Sequence, residues 1–167
     1  MGLFDSMIKN VFMDIVKPKV GSVVKTCLAC GLAEHTGIYI GNNKIVELSG
    51  DGDIRIVSHE KFIKGDDNSL VRTGMYMYVA CAQDDNGNCY ALAAPDIARR
   101  ARNSVGHTRN YNLIFENCHM FVEYCISGER DVGGLLVNVE VALSKKFNLA
   151  PSNSLFAMWR STGISVH

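Results

Sequence analysis

The sequence predicts an α+β domain, an antiparallel β-sheet packed with helices. Three observations carry this. Short β-rich runs closed by tight-turn signals crowd the first half of the chain, whereas helical spacing with recognisable start and stop residues comes later. At 167 residues the chain is long enough for one core and short for two. Its 47% hydrophobic and 20% charged residues are those of an ordinary globular protein, neither a disordered chain nor a membrane bundle.

In chain order, Leu3, Phe4, Met7, Ile8, Val11, Phe12, Ile15 and Val16 recur at helical spacing, with polar residues elsewhere around the wheel. This predicts an amphipathic helix over residues 3–16, stopped by Pro18. Packing on the domain is the first reading of that helix, and a membrane-surface or partner helix is the second. "PKVGSVVKTCLACG" reads as a turn and a strand. "EHTGIYIGNNKIVELSG" is the best hairpin signal in the chain, two β-rich runs around Gly41-Asn42-Asn43. "LVRTGMYMYVACAQ" and "NCYALAA" are further strands around "DDNG". "PDIARRARNSVG" predicts a helix with Pro95 in its first turn, Gly106 past its end and a solvated basic face. A second helix runs from Asn117 as N-cap to Gly128 as C-terminal stop. Residues 132–147 fit either a strand or a helix, and the tail from Leu149 carries no firm pattern. The expected organisation is an N-terminal helix over residues 1–17, a main domain over 18–128, and an extension over 129–167 packed on that domain.

Seventeen basic residues balance seventeen acidic ones, so no global charge points to nucleic acid. "MGLFDSMIKN" has no positively charged start and no continuous apolar stretch, which argues against a secretory signal. It matches the short N-myristoylation pattern, a weak signal on its own. The six cysteines are therefore expected as free thiols in a reducing cytoplasm. No run reaches the roughly 18 apolar residues that a spanning helix needs.

The chemistry candidates begin with Cys118. With Phe121, Val122 and Cys125 it falls at i, i+3, i+4 and i+7, one apolar face turned to the sheet. An arbitrary cysteine on such a face is a buried, inert thiol. Cys118, however, opens its helix, where unpaired backbone N–H groups and the positive dipole end favour a thiolate and can hold an oxyanion. A nucleophilic thiol needs a base, and the base needs an orienting partner. His35 opens a predicted strand and Glu47 lies on the returning one. With a two-residue Asn42-Asn43 loop, pairing parity puts them on opposite faces. With a three-residue Gly41-Asn42-Asn43 loop, Ile40 pairs with Lys44, Gly37 pairs with Glu47, and His35 and Glu47 become diagonal neighbours on one face. Taken singly, Glu47 reads as a solvated strand carboxylate and His35 as a turn histidine. Cys27 and Cys30 form a CxxC, but no second pair at zinc spacing and no βαβ context accompany it. Gly-rich phosphate loops, HExxH and GxSxG are absent. No cofactor is expected.

Taken together, "HTGIYIGNNKIVELSG" and, some eighty residues later, "YNLIFENCHMFVEYCISG" resemble the lecithin:retinol acyltransferase-like family, the circularly permuted branch of the NlpC-type papain-like thiol hydrolases. The resemblance spans residues 18–128 and includes "VGSVV" ahead of the histidine. It implies that His35 is the base, Glu47 its orienting partner and Cys118 the nucleophile, with Glu47 where many animal members carry histidine. Three positions depart from the usual motif. His119 and Met120 stand where Glu and His commonly follow the nucleophile, and Ala33 stands where some members have an aromatic residue.

The resemblance implies a cysteine-dependent acyl hydrolase or acyltransferase working through a thioester on a lipid or other acyl ester. The alternatives are an amidase or peptidase acting on a peptide or isopeptide bond, and a non-catalytic module that keeps the fold. An acyl-bearing small molecule or lipid is the expected partner, and nucleic acid is not. The N-terminal helix offers a peripheral membrane contact to an otherwise cytoplasmic protein.

Overall fold

The computed structural model describes residues 15–28, 33–65, 75–108, 117–130, 133–149 and 157–165. Among these residues one antiparallel sheet of seven strands carries four helices, the α+β arrangement expected. The strands are β1 (Val23–Leu28), β2 (Ala33–Gly41), β3 (Lys44–Leu48), β4 (Ile54–Ser58), β5 (Tyr76–Gln83), β6 (Cys89–Ala91) and β7 (Met158–Ser165). Helix α1 (His59–Lys64) follows β4, α2 (Pro95–Asn103) follows β6, and α3 (Cys118–Ser127) and α4 (Leu136–Lys146) precede β7.

The sheet runs β4-β3-β2-β1-β5-β6, and β7 joins it on β5. Val79 of β5 pairs with both Val24 and Arg160, and Cys81 pairs with both Ala91 and Met158. It follows that β1 and β6 share one edge of β5, and β7 takes the other. Gly21, at φ +92°, precedes β1 where a Cβ would lie 2.0 Å from the Ala94 carbonyl oxygen. Only glycine allows the two backbones to come that close.

The two faces of the sheet bury different sets of side chains. On one, Val23, Ile38, Val46 and Leu48 pack against Ile97, Ala98 and Ala101 of α2, Phe121, Val122 and Cys125 of α3, and Val139 and Leu143 of α4. On the other, Val24, Ile45, Met77 and Val79 pack against Phe62 and Ile63 of α1. The Asn117 side chain caps α3 by accepting the N–H groups of His119 and Met120, at 2.9 and 3.2 Å. Gly128 ends it in the left-handed conformation, with its N–H on the Tyr124 carbonyl.

Several expectations are corrected. Residues 136–146, readable either way, are helix α4, because Val139 and Leu143 at i and i+4 meet the α3 face. The patternless tail supplies β7, whose Thr162 hydroxyl donates to the Met77 carbonyl at 2.9 Å. Neither β4 nor α1 was expected; α1 starts where Ser58 accepts the Lys61 N–H. The basic face of α2 is not simply solvated. Arg100 donates from Nε to the Cys125 carbonyl at 2.6 Å and from Nη2 to the Ile126 carbonyl at 2.8 Å, closing the C-terminal end of α3. Arg102 donates to the Ile40 carbonyl at 2.6 Å. The predicted N-terminal helix lies outside the described residues except for Ile15 and Val16, which are not helical; the Val16 N–H donates to the Ser161 carbonyl.

No helix among the described residues is long and apolar enough to cross a membrane. Cys27, Cys81, Cys89, Cys118 and Cys125 are free thiols, and Cys30, the other half of the CxxC, lies outside the described residues. No group of metal-ligating side chains gathers among the described residues.

Candidate active site

The site is assembled from a hairpin and a helix start. Asn42 and Asn43 both adopt positive φ, 51° and 55°, and form a two-residue turn closed by the Gly41–Lys44 pair. Plain two-residue geometry would place Glu47 opposite Ile38. Instead β2 bulges at Ile40, Tyr39 pairs with Ile45, and Gly37 pairs with Glu47. The expected Gly37–Glu47 register is present, but a bulge produces it rather than the three-residue loop that was its premise.

His35 and Glu47 therefore share a face, and His35 Nε2 stands 2.8 Å from Glu47 Oε2. Gly37 lies between them in sequence space for a reason. A Cβ there would sit 2.7 Å from Ile45 Cγ2 and 2.9 Å from both Phe62 Cε2 and the Val46 carbonyl oxygen. Phe62 also flanks the imidazole, with ring centroids 5.1 Å apart. Glu47 is fully buried, and a buried carboxylate needs compensation. Arg55, its partner across β3 and β4, supplies it: Nε and Nη2 lie 3.0 and 2.9 Å from Oε1.

Cys118 arrives from the opposite face. Pairing of β3 with β2 begins at Gly37, so Glu34 to Thr36 are paired on the β1 side and leave their other edge to α3. The Cys118 sulfur occupies that edge, 4.0 Å from the Glu34 carbonyl oxygen. With Nε2 committed to Glu47, Nδ1 is the ring nitrogen left to meet the thiol. Burial alone pushes the Cys118 thiol up. The positive charge of His35, a hydrogen bond to its ring, and hydrogen bonds from the Thr36 N–H and hydroxyl outweigh it, and the net direction is down. By contrast Cys81, buried on β5 beside Cys89, is pushed up to about 12, chiefly by burial.

The helix start itself is anchored twice. Asn117 accepts the N–H groups of the second and third residues of α3 through Oδ1 and donates through Nδ2 to the Gly134 carbonyl at 2.8 Å. Its cap thus takes the N–H groups of His119 and Met120 and not that of Cys118.

A model of the lecithin retinol acyltransferase family matches residues 16–131. The chain belongs to that family. Among curated proteins it is 29% identical to the lecithin retinol acyltransferase of Mus musculus, over 58% of this chain and 49% of the mouse protein. It is also 29% identical to that of Rattus norvegicus, over 56% of this chain and 48% of the rat protein. The chain spans about half the length of the curated relatives it matches.

For a lecithin retinol acyltransferase family member, two neighbours of the predicted trio escaped the sequence reading. Arg55 was missed because β4 was missed; the turn residues "SGDGD" between two β-rich runs were the signal for it. Thr36 was missed because a threonine beside a candidate base is unremarkable until a helix meets its edge of the strand.

Proposed function

We propose that this protein is a cysteine-dependent acyl hydrolase or acyltransferase acting on a lipid or other acyl ester. The observation that carries the proposal is the Cys118 thiol, buried at the start of α3 against His35, whose far nitrogen is held 2.8 Å from a buried Glu47. Membership of the lecithin retinol acyltransferase family supports acyl transfer as the reaction class. The order of a histidine-bearing hairpin followed by a cysteine-bearing helix also fits the permuted papain-like arrangement.

In this proposal His35 Nδ1 takes the Cys118 proton, and the thiolate attacks the ester carbonyl. The Cys118 N–H and the positive end of α3 stabilise the oxyanion. Collapse of the tetrahedral species breaks the ester C–O bond, and the imidazolium returns its proton to the departing alcohol. A thioester on Cys118 is left. His35 then deprotonates water, or an acceptor alcohol, which attacks the thioester and regenerates the thiol. Glu47 keeps the imidazole in the tautomer and orientation that both steps need, and Arg55 keeps Glu47 ionised.

The test is to incubate the full chain with fluorogenic acyl esters and with peptide libraries, then map adducts by mass spectrometry. An acyl mass on Cys118, lost in Cys118→Ser and His35→Ala, is the expected result. Turnover of peptides without esters would replace the proposal with an amidase. Failure of both substrates to acylate Cys118, with all thiols alkylated alike, would leave a non-catalytic module.

A further inference from the structure

His119 follows Cys118 on the first turn of α3, and its Nδ1 lies 3.0 Å from Thr36 Oγ1. Thr36 is fully buried and alternates with His35 along β2, so the two side chains approach the sulfur from opposite faces of the strand. The Thr36 hydroxyl is within hydrogen-bonding reach of both Cys118 and His119, while its backbone N–H also meets the sulfur. One hydroxyl has one proton, so it can donate to the imidazole or to the sulfur, never to both. If His119 accepts, the oxygen lone pairs face the thiolate. If His119 donates, the hydroxyl proton is free for the sulfur.

We propose that Thr36 and His119 are positioning residues for Cys118. His119, in its Nδ1–H form, donates to Thr36 Oγ1 and so commits the Thr36 hydroxyl to donating to the sulfur. The thiolate is then held from two sides, by the His35 imidazolium on one face of β2 and by the Thr36 hydroxyl and N–H from the strand itself. The charged groups facing His119 are Lys25 on β1 and Glu34 and His35 on β2, and Lys25 and Glu34 pair with one another. Burial, aided by the charges of His35 and Lys25, lowers His119 to about 4. Its ring is accordingly neutral at pH 7, which makes its tautomer the deciding variable. This inference rests on the function proposed above only in taking Cys118 as the reacting thiol.

The experiment follows iodoacetamide alkylation of each cysteine against pH, by mass spectrometry, in the full chain. The proteins are the wild type, Thr36→Val, Thr36→Ser, His119→Phe and His119→Asn, with nitrogen-15 spectra of the wild-type imidazoles recorded alongside. Thr36→Val and His119→Phe should each slow Cys118 about tenfold near neutral pH, the effect of losing one charge-assisted hydrogen bond, and converge on the wild-type rate at high pH. Thr36→Ser restores the hydroxyl, and His119→Asn restores an N–H near the Nδ1 position, so both should recover the rate. Unchanged Cys118 rates in the Val and Phe variants overturn the inference, as does an Nε2–H tautomer for His119. Faster labelling of the buried Cys81 and Cys125 would mark a variant as misfolded, and the histidine spectrum then decides. Slow labelling of Cys118 in the wild type would overturn the proposed function, and the same spectrum still decides the inference.

Discussion

His35 Nε2 and Glu47 Oε2 lie 2.8 Å apart because β2 carries one residue more than β3 between their pairing sites and the Asn42-Asn43 turn. The bulge at Ile40 moves every later pair by one residue, which exchanges the faces of the sheet. Without it, Glu47 would point into the core beneath α3 instead of toward His35.

That register leaves no room for a side chain at position 37. In Gly37→Ala the new Cβ would meet Ile45, Phe62 and the Val46 carbonyl, each closer than 3.0 Å, and the last cannot move without the strand. The expected cost is about 1–3 kcal/mol, read as a lower denaturant midpoint at unchanged m value. A midpoint equal to that of the wild type would mean the β2–β3 register drawn above is wrong.

Arg55 compensates a carboxylate with no exposure of its own. Arg55→Met should destabilise the protein by about 3 kcal/mol, because Glu47 loses its cationic partner while staying buried. Adding Glu47→Gln to that variant should recover part of the loss, a coupling that a double-mutant cycle measures directly. Strictly additive effects would show that the two residues do not interact.

The lowered Cys118 thiol sets a direction for pH. Its thiolate, and with it alkylation, should persist to lower pH than that of an ordinary thiol, since an acid with a depressed pKa stays ionised above that depressed value. In His35→Ala the opposing charge is gone and burial remains, so the Cys118 profile should move to higher pH, past an ordinary thiol. A profile that stays put would remove His35 from the site.

Neutral His119 makes a separate, thermodynamic prediction. Its pKa is about 4 when folded against 6.5 when free, so the unfolded chain binds more protons between those values. Stability should therefore rise with pH from about 4 to 6.5 and lose part of that slope in His119→Asn. Equal slopes in thermal melts across this window would contradict the burial assigned to the ring.

How much of this was legible beforehand depends on the range of the interaction. The α3 helix was readable end to end, because its cap at Asn117, its stop at Gly128 and its apolar stripe are all local signals. The hairpin was readable too, though its bulge was not: Ile40 is an ordinary β-branched residue, and its extra position is defined only by what β3 does opposite it. The basic run at Arg99 to Arg102 looked solvated because charge is local, whereas the carbonyls that Arg100 and Arg102 bind lie at Cys125, Ile126 and Ile40. β7 failed for the same reason. Its order comes from pairing with β5, some eighty residues earlier, and nothing in its own composition announces that partner.

The sequence by itself determined the α+β class, the hairpin bearing His35 and Glu47, and the helix that Cys118 opens, since periodicity, turn chemistry and capping are written over a few residues at a time. Tertiary structure alone decided that β3 stops pairing short of Glu34–Thr36 and leaves a strand edge for the thiol, that Arg55 neutralises Glu47, and that Thr36 joins His119 to Cys118. Each of these is a meeting of side chains or backbone from separate elements. Burial makes such meetings decisive, because away from water an unpaired charge or hydrogen-bonding group is costly, and its partner comes from whatever the fold brings alongside.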